Sequence, residues 1–102
     1  MVETYDYVII GAGSAGCVVA GRLAEDGKKT VLLLEAGPSD GALILEMPAA
    51  HGLPLGDERF DWRLYSEPET HLCNRTVYAP RGRVLGGSSA INGMNWVRGN
   101  AW

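Results

Sequence analysis

Residues 5–23, YDYVIIGAGSAGCVVAGRL, decide how this chain is read. Tyr5 to Ile10 is aromatic and β-branched and stops at Gly11, which predicts a strand. From Ser14 to about Glu25, residues Ala15, Val18, Val19, Arg22 and Leu23 fall at helical spacing, and Gly27 closes the run. Between strand and helix, Gly11, Gly13 and Gly16 spell G-x-G-x-x-G. Gly11 permits the tight turn out of the strand. Gly13 lets backbone approach a phosphate where a Cβ would collide. Gly16 lets the helix pack close to the strand. The helix N-terminus then offers unpaired N–H groups and partial positive charge to a pyrophosphate, and Ser14 adds a hydroxyl donor.

Working outward, Thr30 to Leu34 is a second strand, apolar throughout, as expected of a parallel strand buried on both faces. The three elements make a βαβ unit of about 30 residues. Glu35 ends the second strand, in the place where an acid accepts ribose hydroxyls and repels a 2′-phosphate. The unit reads the ADP half of a dinucleotide and does not choose between NAD and FAD. The fold class is therefore α/β, Rossmann-like over residues 5–37.

Composition excludes several functions. With 21% charged residues and a net charge of −3, nothing points to nucleic acid or an anionic membrane. No apolar run approaches the ~20 residues of a membrane span, and the acidic start is unlike a secretory signal, so a soluble cytoplasmic protein is expected. Cys17 and Cys73 form no CxxC pair, so neither a zinc site nor a disulfide framework is indicated. Cys17 is expected on a packed helix face. Asn74-Arg75-Thr76 matches the glycosylation triplet, a pattern frequent by chance.

Residues 38–79 read as an extended excursion rich in proline and glycine. A short helical turn is expected near Ala42–Glu46, with strands at Asp61–Ser66 and Arg75–Ala79. A two-stranded parallel unit with two apolar faces needs further strands and layers. The chain thus reads as an amino-terminal piece of a larger protein, or one chain of a split one.

Residues 80–92, PRGRVLGGSSAIN, bring small residues and hydroxyls before a second helix start, with Ser88 or Ser89 as its cap. A second such loop suggests a ligand long enough to be gripped in two regions, which suits FAD. An ordinary glycine turn is the plain alternative.

Residues 5–37 and 80–99, with FDWRLYSEPE between them, closely resemble the amino-terminal region of glucose-methanol-choline (GMC) flavoprotein oxidoreductases. The resemblance covers nearly the whole chain. It implies that residues 1–102 are the amino-terminal part of an FAD-binding domain in a larger two-domain enzyme. That enzyme oxidises an alcohol to a carbonyl by hydride transfer to flavin N5. It further implies that Gly11, Gly13, Ser14 and Ala15 line the pyrophosphate, and that Glu35 holds the adenosine ribose with Ala36 nearby. Trp62 would lie near the adenine, a buried core position being its alternative. Val84 would meet the adenine end through its backbone, and Gly86, Gly87 and Ser88 would follow the phosphates and ribityl chain. Asn92, Gly93, Met94 and Asn95 would approach the ribityl chain and the flavin ring. Some members carry a flavin-linked histidine where this chain has Ile91, so non-covalent FAD is expected.

The general base and substrate domain lie outside these residues in the family. His51 and His71 sit in the irregular middle and read as surface or structural. The expected partners are the remainder of the same enzyme and a small alcohol. Other readings are a relative that does not oxidise alcohols (a hydroxynitrile lyase or a flavin photodecarboxylase), a plain NAD-binding module, and a non-catalytic binding or structural role.

Overall fold

The computed structural model describes residues 3–100. The ends of the expected 1–102 segment lie outside them. Strand β1, Tyr7–Ile10, pairs in parallel with β2, Val31–Leu34, in the register Tyr7 with Val31 through Ile10 with Leu34. Helix α1, Ser14–Ala24, connects them. All three elements stand where the apolar pattern puts them, each with slightly tighter ends. The strands begin at a reciprocal lock between Asp6 and Thr30. Thr30 N–H donates to the Asp6 carboxylate at 2.8 Å and Asp6 N–H donates to Thr30 Oγ1 at 3.0 Å. The Thr30 N–H and the Thr30 hydroxyl, both donating to the Asp6 carboxylate, hold it below its ordinary pKa. At the other end, Gly27, with φ of +66°, donates its N–H to Ala24 C=O and stops the helix.

The excursion contains α2, Leu43–Glu46, followed by a 3₁₀ turn at Pro48–Ala50. Strands β3, Leu64–Tyr65, and β4, Tyr78–Ala79, pair antiparallel and are shorter than expected. Backbone hydrogen bonds and isolated bridges continue the pairing on both sides of the short ladder. Trp62 N–H donates to Arg81 C=O and Arg83 N–H to Phe60 C=O on one side, and Ser66 N–H donates to Val77 C=O on the other. Arg63, Cys73 and Asn74 take positive φ, which breaks the extended run at one flank and turns the ribbon at its tip.

The small core lies away from the βαβ unit. Phe60, Val84 and Ile91 are buried together, with Ala42, Ile44, Leu45 and Ala90 packed against them. Helix α1 buries no residue, and Val8, Ile10, Val18 and Val19 are all exposed. Cys17 is likewise exposed, against expectation, its thiol donating to Ala12 C=O at 3.2 Å. Closed domains of this length have a radius of gyration of about 13 Å; here it is 17.2 Å. The sheet and helix therefore present apolar faces that nothing among the described residues covers.

Candidate functional site

The two glycine loops meet. Gly86 N–H donates to Ala12 C=O at 2.8 Å, and Gly13 and Gly86 form a parallel bridge. Gly86 and Gly87 have φ of +89° and +60°, the left-handed region open to glycine at little cost. A Cβ on Gly87 would stand 2.8 Å from the Gly13 α-carbon, so this seam closes only with glycine at position 87. The two loops are thus joined side by side by backbone hydrogen bonding.

The seam lies at the start of α1. Cys17 N–H makes the first intrahelical bond, to Gly13 C=O at 2.9 Å, and no side chain caps the helix. The N–H groups of Ser14, Ala15 and Gly16 precede that bond and carry the positive end of the helix dipole. Gly16 is explained by protein packing, since a Cβ there would fall 2.0 Å from Gly11 C=O oxygen. Gly13 is not. Its backbone is ordinary, with φ −76° and ψ −175°, and a Cβ would meet nothing nearer than the Gly87 α-carbon at 4.0 Å. Glycine at this position leaves the space before the helix start clear.

A cleft of about 540 Å³ opens beside the seam. Gly11, Gly13, Gly87 and Ser88 form one side; Leu34, Glu35 and Ala36 bring the end of β2; Trp62, Arg81 and Gly82 bring the antiparallel ribbon. Glu35 is fixed by the backbone: one carboxylate oxygen accepts Ala12 N–H at 2.8 Å and the other accepts Gly37 N–H at 3.0 Å. It thereby ties the glycine loop to the end of β2, with lone pairs left for a ligand hydroxyl. Trp62 is half-exposed on the cleft wall, and the Arg83 guanidinium lies 5.2 Å from its ring centre.

The remaining expected residues are distributed otherwise. Val84 is fully buried in the core, and its carbonyl accepts Gly87 N–H. Neither Ser88 nor Ser89 caps a helix. The second loop forms only a 3₁₀ turn at Gly87–Ala90, Ser88 Oγ accepts Gly82 N–H at 3.0 Å, and Ser89 Oγ donates to Gly86 C=O at 2.6 Å. Asn92, Gly93, Met94 and Asn95 line a separate recess with Ser89 and Trp96 rather than the cleft. Ile91 is buried against Phe60 and Val84. His51 and His71 are exposed and outside the cleft.

Sequence reasoning missed Asp61, Arg81 and Gly82. Asp61 is buried, and its carboxylate accepts N–H groups from Gly56, Arg63 and Arg81 at 2.9, 2.9 and 3.1 Å, and the Tyr78 hydroxyl. Burial alone would raise its pKa; the Tyr78 hydroxyl and these N–H groups outweigh that and hold it at about 2. The signal was an acid between two aromatics, in Phe60-Asp61-Trp62. Gly82 is required because a Cβ would lie 2.2 Å from Gly87 C=O oxygen.

Residues 5–102 match the GMC oxidoreductase family model. The chain belongs to the GMC oxidoreductase family. An oxygen-dependent choline dehydrogenase of Photobacterium profundum is 54% identical over 101 residues, covering 99% of this chain and 18% of that protein. The crystal structure of pyridoxine 4-oxidase from Mesorbium loti superposes with a TM-score of 0.85 at 38% identity, over 94% of this chain and 19% of that one. An FAD-dependent oxidoreductase from Chaetomium thermophilum gives 0.73 at 36% identity, over 95% and 16%. The chain thus spans under a fifth of the length of these relatives. Among the described residues no helix is long and apolar enough to cross a membrane.

Proposed function

We propose that these residues cradle the FAD of an enzyme that oxidises an alcohol. The observation that carries this is the seam of Gly13, Gly86 and Gly87 at the open start of α1, with Glu35 beside it in the same cleft. The GMC family and the FAD-dependent relative support the flavin over a bare nicotinamide cofactor. Choline and pyridoxine, named in two relatives, both carry an alcohol, which supports that substrate class.

Gly11, Gly13, Ser14 and Ala15 bring backbone N–H groups to the pyrophosphate. Glu35 accepts from the adenosine ribose while holding Ala12 and Gly37, and Ala36 and Trp62 border the adenine. Val84 contributes its backbone from behind the second loop. Gly87 and Ser88 continue the wall past the phosphates, with Gly86 stitching that wall to the first loop. Asn92, Gly93, Met94 and Asn95, in the neighbouring recess, meet the ribityl chain and flavin. FAD, when bound, supplies N5 as hydride acceptor. Ile91 offers no nucleophile and is buried, so attachment at that position is non-covalent. The remainder of the enzyme covers the apolar faces of β1, β2 and α1 and brings the general base.

The absorption spectrum of the intact protein tests this reading. Bands near ~375 and ~450 nm that fade anaerobically with an alcohol are expected of a flavin accepting hydride. Acid should release the flavin into solution. An intact protein without these bands after incubation with FAD would refute the reading.

A further inference from the structure

We propose that Asp61 is a positioning residue, which sets Trp62 and Arg81 against the adenosine end of the bound dinucleotide. This deepens the FAD reading and rests on it. Asp61 itself points away from solvent and lines no part of the cleft; its neighbours do. Its carboxylate gathers three separate stretches of chain. One oxygen accepts both Arg63 N–H, at 2.9 Å, and Arg81 N–H, at 3.1 Å. The other accepts Gly56 N–H, at 2.9 Å, and the Tyr78 hydroxyl. Trp62 lies between Asp61 and Arg63 and donates its own N–H to Arg81 C=O at 2.9 Å. The two cleft-wall residues are therefore locked to one another and to one carboxylate.

Regular pairing would not place them so. Arg63 has φ of +54°, a costly conformation for a side-chain-bearing residue, and its N–H bond to Asp61 is what holds it there. That kink separates the Trp62 backbone from the ladder of β3 and β4. It leaves the indole half-exposed on the cleft, with the Arg83 guanidinium 5.2 Å from its ring centre. Arg81 is the one cation on the cleft wall among the described residues, and one nitrogen of its guanidinium, Nη1, donates to Pro80 C=O at 2.7 Å. An aromatic face and a guanidinium with N–H groups to spare fit a nucleobase and its phosphates.

The test measures FAD dissociation constants of the intact apoprotein by flavin fluorescence quenching, in a double-mutant cycle of Asp61→Asn and Trp62→Leu. Asn supplies one acceptor oxygen and a donor where two acceptors are needed. In the wild-type background Asp61→Asn should weaken FAD about tenfold. In the Trp62→Leu background the same change should weaken it less than about threefold, because one of the two residues through which Asp61 acts is gone. Thermal unfolding of the apoprotein should shift equally in both backgrounds, which separates positioning from general stability. If Asp61→Asn weakens FAD equally in both backgrounds, or in neither, the proposal is overturned. If the Asn variant does not fold, Tyr78→Phe, which removes one donor of four, decides by the same background dependence with a smaller loss of about threefold. A wild-type protein that binds no FAD would instead overturn the underlying reading, and this inference with it.

Discussion

Replacing Gly87 and Gly13 in turn by alanine should give opposite effects from neighbouring glycines. Gly87 has φ of +60°, and a side chain in the left-handed region costs about 1–2 kcal/mol. Its Cβ would also lie 2.8 Å from the Gly13 α-carbon, a backbone atom that cannot swing aside. Overpacking of this kind costs a further 1–3 kcal/mol or so. Gly87→Ala should therefore destabilise the intact apoprotein by about 2–5 kcal/mol and spread the two loops. Gly13 is already extended, and its Cβ would meet no protein atom nearer than the Gly87 α-carbon at 4.0 Å. Gly13→Ala should leave the apoprotein as stable or up to about 1 kcal/mol more stable, because alanine narrows the unfolded ensemble. Yet it should weaken FAD at least about tenfold, or about 1.4 kcal/mol, by filling the approach to the helix start. Urea unfolding of the apoproteins and flavin titration of the same samples read both quantities. A Gly13→Ala protein that unfolds early but binds FAD normally would refute the assignment of that glycine to a ligand. A Gly87→Ala protein as stable as wild type would refute the seam.

Glu35→Gln should weaken FAD and destabilise the apoprotein by about 1–3 kcal/mol, since the amide can accept only one of the two N–H groups from Ala12 and Gly37; urea unfolding and flavin titration measure it. Asp61 titrates at about 2 when folded against an ordinary 3.8. Its contribution, about 2 kcal/mol, is fully present above about pH 4 and is lost as pH falls through about 2. The stability gap between wild type and Asp61→Asn, followed by urea unfolding across acidic pH, should close in that window. Gly21→Ala, at an exposed point of α1 where a Cβ meets nothing within 4 Å, should raise apoprotein stability by about 0.5–1 kcal/mol in thermal unfolding.

The βαβ unit was legible because its signals are local. Tyr7–Ile10 and Val31–Leu34 are β-branched or leucine-rich, Gly27 stops the helix, and the motif glycines sit at fixed offsets. The glycine seam was not legible as a contact. Gly13 and Gly86 are far apart along the chain, and nothing in the period of either loop reports what lies beside it. The excursion misled for a related reason. Asp61–Ser66 and Arg75–Ala79 do run antiparallel, but Asp61 and Ser66 substitute side-chain acceptors for ladder carbonyls, and Arg63 kinks the run. Alternating apolar residues predict extension without predicting which bonds hold it.

Glu35 and Asp61 show what this form of organisation does for the cleft. Both are acids followed by a cleft-wall residue, and both use their two oxygens to collect backbone N–H groups from separate stretches. Few side chains are buried in these residues, so the cleft wall is set by carboxylates and by glycine contacts rather than by a large core. Each such joint is specific in direction but limited in strength, about 1–3 kcal/mol when a partner is removed. A ligand that binds only the assembled wall adds its binding free energy to those joints. Flavin should therefore raise the unfolding temperature of the intact wild-type protein by more than that of Glu35→Gln. The same rise in both proteins would mean that Glu35 neither touches the cofactor nor shapes the wall it binds.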